Sequence, residues 1–173
     1  MSRLPTLSWL LVFATVFAVC PLGAQAGQAE KGAVQAAIVY NLARFVEWPA
    51  GTLGEQVDLC VSGTDQLWGH FKKLEGRPVG GRHIRVRARR DDQDASQCDI
   101  LFVEFDRSER LLESAAARPV LIVGEGKGFA DELGVVELFD RDGRVRFAVN
   151  VDAAAQRQLT FSSKLLRLAE LRG

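Results

Sequence analysis

In 173 residues the sequence has one methionine, one tyrosine and two histidines, and its scarcities narrow its chemistry. It contains no H-E-x-x-H pair, no G-x-S-x-G nucleophile elbow and no C-x-x-C. Glycines cluster from Gly124 to Phe129 after an apolar run. The spacing is neither G-x-G-x-x-G nor G-K-[ST], and no long apolar helix pattern follows, so this stretch is read as a turn. Neither charge predominates: 22 basic residues face 22 acidic ones, without the strongly basic face of a nucleic-acid binder. His70 and His83 have no carboxylate partners nearby in sequence and are read as surface residues. The carboxylates are expected on solvated faces or turns. No catalytic, metal or cofactor site emerges, and an enzyme is not expected. Repeats and low-complexity segments are absent as well.

No apolar run reaches the roughly 20 residues of a membrane span. The mostly apolar segment Leu7 to Val19 is 13 residues long, follows the lone charge Arg3, and precedes Pro21, Gly23 and an Ala24-Gln25-Ala26 cleavage pattern. Residues 1–26 therefore read as a secretory signal peptide, removed after Ala26 on export to the periplasm. Cys20, between Val19 and Pro21, fits a lipobox badly. The remaining 147 residues, 27–173, carry a net charge of −1. They suit one domain that buries roughly 70% of its unfolded surface. Cys60 and Cys98 are then an even pair in an oxidising compartment, which reads as a disulfide rather than a redox sensor or metal site.

From Glu30 to Glu47 the chain reads as an amphipathic helix ended by Pro49. Val34, Ile38, Leu42, Phe45 and Trp48 lie near one face, with Asn41 and Arg44 on the more polar side. Asp58 to Val61 is a short strand, and Thr64 to Leu74 a helix stopped by Gly76 and Pro78. A Gly80-Gly81 turn leads into a strand from His83 to Arg89. Its apolar face is Ile84, Val86 and Ala88, and its basic face is His83, Arg85, Arg87 and Arg89. That basic face fits an edge protected by charge, balanced by Asp91, Asp92 and Asp94, or a docking patch for an acidic surface. Ile100 to Val103 and Val120 to Val123 are continuous apolar runs, as strands buried on both faces would show, with a helix between them from Asp106 to Ala117. Val135 to Phe139 and Arg144 to Val151 form a hairpin around Asp142-Gly143. The class is α/β: a single compact domain with a mixed sheet of about six strands flanked by helices.

The last strand alternates strictly, with Val145, Phe147, Val149 and Val151 on one side and Arg144, Arg146, Ala148 and Asn150 on the other. Asp152 stands at an N-cap position before Ala153 to Gln158. Ser162 can cap a final helix, stapled by Phe161 and Leu166, with Leu165, Leu166, Leu168, Ala169 and Leu171 as its apolar stripe. The chain is expected to end on that docked helix.

RVRFAVNVDAA followed by LTFSSKLLRLA, with AAIVYNLARFVEWP, CDILFVEF and GFADELGVVELF before it, resembles the YfiR-like family of periplasmic regulators. The resemblance covers nearly all of residues 27–173. It implies an α/β repressor that binds the periplasmic portion of an inner-membrane diguanylate cyclase and lowers cyclic-di-GMP synthesis. It also implies sequestration by an outer-membrane lipoprotein and a tendency to dimerise, with no nucleic acid and no cofactor. By resemblance Cys60 and Cys98 match a family disulfide. Tyr40, Asn41, Phe45, Trp48, Phe147, Ser162, Ser163, Leu165 and Leu166 match structural motif positions. Arg146 and Asn150, with Arg85 and Arg87 from the basic strand, are the candidate partner contacts. The chain departs from the family twice: no cysteine falls between Gly128 and Gly134, where a second disulfide would lie, and Ala148 stands where an acidic residue is usual. The alternatives are a periplasmic sensor of a small apolar or aromatic ligand and, more remotely, a secreted enzyme.

Overall fold

A computed structural model describes residues 23–89, 94–104, 109–115, 118–132 and 134–173. The signal-peptide reading falls almost wholly outside them, as do Asp91, Asp92, Asp106 and Ala117. In chain order the elements are α1 (Gly23–Phe45), β1 (Val46–Glu47), β2 (Gln56–Ser62), α2 (Asp65–Lys72), β3 (Pro78–Val79), β4 (Arg82–Ala88), β5 (Ile100–Glu104) and α3 (Glu109–Ser114). There follow β6 (Leu121–Glu125), α4 (Phe129–Glu132), β7 (Val136–Arg141), β8 (Arg144–Asn150), α5 (Val151–Gln156), β9 (Thr160–Phe161), α6 (Ser163–Leu166) and β10 (Glu170–Arg172).

The apolar runs form the middle of one eight-stranded mixed sheet, in the order β10-β8-β7-β6-β5-β2-β4-β3. β4, β2, β5, β6 and β7 are parallel neighbours, and hairpin partners β8 and β3 run antiparallel to β7 and β4. Each central strand alternates between two cores. Leu59, Val61, Ile100, Phe102, Leu121 and Val123 meet α1 and α2 on one face. Cys60, Leu101, Val103 and Ile122 meet α3 and Phe129 on the other. Both hairpin turns place two successive residues at positive φ, Gly80 and Gly81 at 55° and 79°, Asp142 and Gly143 at 54° and 71°. Such turns match the twist of the strands they join, which is why glycine stands in each.

The structure changes four expectations. The main sheet has eight strands rather than about six, and a separate pair, β1 and β9, lies beside it. The buried stripe of α1 is turned from the anticipated one: Gly32, Gln35, Ala36, Val39, Leu42 and Ala43 are buried, while Val34 is 39% exposed. Small side chains let the helix seat closely, so size outweighed hydropathy in choosing the face. α5 begins earlier than read: Asn150, not Asp152, is its N-cap, its side-chain oxygen accepting from Ala153 N at 2.8 Å. Ser162 does cap α6, accepting from Leu165 N, yet that helix stops at Leu166.

Instead of continuing as a helix, the chain turns and adds β10 in parallel to β8, with Glu170 opposite Ala148. Without β10 the outer edge of β8 would expose a row of unpaired backbone groups. A short isolated helix has little intrinsic stability to set against that pairing. Glu170 is held by ion pairs from Arg141 and Arg172. The consequence is that Leu168 and Leu171, assigned to a buried stripe by helical spacing, are 73% and 57% exposed.

Cys60 and Cys98 are disulfide-bonded with their Cα atoms 5.7 Å apart, pinning the approach to β5 against β2 inside the second core. Closing a loop of this length removes about 4 kcal/mol of chain entropy from the unfolded state, and measured effects commonly fall below that. Replacing both cysteines with alanine should therefore lower the urea-unfolding free energy of the mature chain by about 2–4 kcal/mol. A loss below about 1 kcal/mol would mean that packing alone holds the segment.

Candidate functional site

The structure gathers the motif residues of the first helix and the C-terminal segment into one place. β1 pairs antiparallel with β9, Val46 opposite Phe161 and Glu47 opposite Thr160. Next to this pair, Ser162 N donates to Phe45 O at 3.0 Å. The end of α1 is thus stitched to the start of α6. Between them lies an open groove of about 290 Å³, floored by Ile38, Phe45, Phe147, Leu165 and Leu168 and edged by Asn41 and Lys164. Phe147 comes from β8, whose alternation turns Val145, Phe147 and Val149 toward α1. The rim is cationic. Lys164 Nζ stands 5.7 Å and the Arg44 guanidinium 5.8 Å from the centre of the Phe45 ring. Both side chains are exposed, as is Arg167. An apolar floor with a basic rim that forms no ion pair among the described residues can hold aliphatic or aromatic side chains flanked by carboxylates.

Ile38, Lys164 and Leu168 are groove residues that sequence reasoning did not assign. The signal for Leu168 was present as an apolar residue, but helical spacing placed it in the interior. Other motif residues have holding roles. Tyr40 donates its hydroxyl to Pro78 O at 3.1 Å, joining α1 to β3. Trp48 lines a hollow of about 400 Å³ with Arg44, Leu53 and Val79. Its Nε1 is buried without a hydrogen-bond partner among the described residues. Leu166 packs against the core, and Ser163, the first residue of α6, is exposed.

The four candidate contact residues are not brought together. Five strand steps separate β4 from β8, about 24 Å at sheet spacing. Arg146 is exposed, but on the sheet face opposite Phe147. Asn150 is occupied by capping α5 and by donating its Nδ2 to Ala130 O at 2.8 Å. Arg85 and Arg87 both serve Asp58: Arg85 through two hydrogen bonds of 2.5 Å, Arg87 through one of 2.8 Å. For Arg85 and Arg87 the balance therefore comes from Asp58 of β2, while Asp94 lies close enough to Arg89 to feel its charge.

That arrangement corrects the expectation that carboxylates lie on solvated faces. Asp58, Asp99 and Glu137 are all buried. Burial pushes the Asp58 carboxyl up, but hydrogen bonds from Arg85 and Arg87 outweigh it and hold the group below the usual range. Burial pushes the neighbouring Asp99 carboxyl up, against the Asp58 N–H it accepts and the nearby Arg118. Glu137 accepts from Gly128 N at 2.7 Å and Ala130 N at 3.4 Å. It thereby fixes the turn in which Gly126 and Gly128 take φ of 118° and 94°. Glu137 is also the register partner of Ala148, so a carboxylate does occupy this part of the sheet, one strand over from the position the resemblance implied.

A protein-family model described as DUF4154, YfiR/HmsC-like, matches residues 32–170. No curated protein matches the chain. Among the described residues no helix is long and apolar enough to cross a membrane.

Asp58→Asn removes the carboxylate shared by two half-exposed arginines and should cost about 1–2 kcal/mol at pH 7. Because the folded pKa is lowered, this stabilisation is complete above the ordinary carboxylate value of about 3.9 and is lost as pH falls through the folded value. Urea unfolding of both proteins should show the gap narrowing as pH falls below about 4. A gap absent at pH 7, or constant down to pH 2, contradicts the role given to Asp58.

Proposed function

The chain belongs to the YfiR/HmsC-like family, and from that premise we propose that it is a periplasmic repressor of an inner-membrane diguanylate cyclase. YfiR-like proteins form a periplasmic, regulatory family. In this reading the exported chain binds the cyclase's periplasmic portion and lowers cyclic-di-GMP synthesis without touching the nucleotide. Repression requires tighter binding to the inactive state of the cyclase than to the active one, because equal affinity would shift nothing.

One observation carries the reading. Phe45 of α1, Phe147 of β8 and Leu165 of α6, distant in sequence, converge on an open apolar groove with Leu168 exposed beside them. Exposed apolar side chains of this kind, ringed by polar groups, are how transient partners anchor. The cationic rim selects a partner segment bearing acidic residues next to its apolar anchors. A lipoprotein that sequesters the repressor, or a second copy of the chain, would act by competing for the same groove.

The test is genetic. Deleting the gene should raise intracellular cyclic-di-GMP, and the wild-type gene should restore it. Leu168→Asp, on an exposed side chain, should fold and be secreted normally yet fail to restore it, since losing a central anchor costs about 2 kcal/mol of binding. Arg146→Ala, on the other sheet face, should complement. Restoration by Leu168→Asp but not by Arg146→Ala would move the contact to that other face. No rise on deletion would overturn the repressor reading.

A further inference from the structure

We propose that a second site, the crevice at the carboxyl ends of β2, β5 and β6, binds a small primary amine with Glu104 as its counter-ion. From β2 the chain crosses through α2 to β4 on one side, and the next strand, β5, returns to the other side of β2. The connections after β2 and β5 therefore diverge, and in open α/β sheets such a switch point is where ligands settle. Here it opens into a crevice of about 230 Å³ walled by α1 and α2. That is the liquid volume of roughly eight waters, enough for a small organic molecule and below the size of a drug pocket.

Glycine shapes both walls. A Cβ on Gly32 would lie 2.8 Å from His70 Cδ2, and one on Gly63 would lie 2.8 Å from Leu67 Cδ2 and 3.4 Å from the Glu104 carboxyl carbon. The floor is formed by Glu104 and Glu125, register partners at the ends of adjacent strands. Two like charges side by side on a ladder destabilise each other unless cations offset them. Glu125 is offset: Lys31 Nζ pairs with one oxygen, and Gln35 Nε2, on a side chain only 2% exposed residue-wide, donates to the other at 2.7 Å. Glu104 has no hydrogen bond or ion pair with any described residue.

The crevice thus carries two carboxylates against one ammonium. An anion would meet the open carboxylate at once. A metal ion lacks ligands, since among the described residues no three His, Cys, Asp or Glu side chains cluster to hold one. An ammonium suits the site. It brings three donors and one positive charge to Glu104, and the Thr64 hydroxyl and Gln66 amide on the α2 wall can accept the others. His70 Nδ1, buried and without a partner among the described residues, is a further group at this wall. The inference is independent of the cyclase reading.

Calorimetric titration of the purified mature protein with 1,4-diaminobutane, n-butylamine and butyrate tests it. Both amines should bind saturably at one site and butyrate should not. Glu104→Gln, which keeps the shape and removes the charge, should weaken amine binding about tenfold or more without lowering Tm, while the exposed-site control Glu55→Gln should bind as wild type. No saturable amine binding at millimolar concentration, butyrate binding equally well, or an unchanged affinity in Glu104→Gln would overturn the proposal. Amine binding in a protein whose deletion leaves cyclic-di-GMP unchanged would fault the repressor reading alone.

Discussion

The junction between the end of α1 and the C-terminal motif is the constraint on which the groove depends. The two strands β1 and β9 contribute only two residue pairs, and one further bond runs from Ser162 N to Phe45 O. On their own these contacts would be marginal. They persist because α1 is already fixed: Val39 and Leu42 have no exposed surface, and Phe161 and Leu165 share their core. Helix seating supplies the energy, and the junction converts it into position. Because α6 ends after one turn, Leu168 is set beside Phe45 and Phe147 rather than under them.

The opposite pole of the sheet is built from different physics. There the Cys60–Cys98 bond, the Asp99 N–H on Asp58 O and the Asp58 N–H on the Asp99 carboxylate hold β2 to the start of β5, and Arg85 and Arg87 on Asp58 hold β4 to β2. Covalent and charged contacts do at this end what apolar packing does at the other. They occupy Arg85 and Arg87, two of the four basic side chains that made β4 look like a docking surface. α1 spans both hollows, since its Lys31 and Gln35 line the crevice and its Ile38 and Phe45 line the groove.

Much of the fold was legible in the residues, for identifiable reasons. Runs such as Ile100 to Val103 admit no solvent face and so announce central strands. Asp142-Gly143 announces a hairpin and Gly80-Gly81 a tight turn, because few residues tolerate two positive φ angles in succession, whereas the short β3 before Gly80 was not legible. The disulfide was legible from parity once the first cysteine was set aside. What was not legible was decided by distant partners. Leu168 and Leu171 fit helical spacing, and only the unpaired edge of β8 explains why the chain becomes a strand instead. The pairing of Arg85 and Arg87 depended on Asp58, 27 and 29 residues away and one strand over. The groove itself joins three segments whose proximity no local pattern encodes.

The central claim is that this groove is the regulatory contact surface. Its most direct test is amide hydrogen exchange of the mature protein, alone and mixed with the periplasmic portion of the cyclase whose loss cancels the rise in cyclic-di-GMP. The account predicts added protection in residues 36–48 and 145–168, with the β4 region, 82–89, unchanged. Protection confined to 82–89, or none in either groove segment at saturating partner, would contradict it.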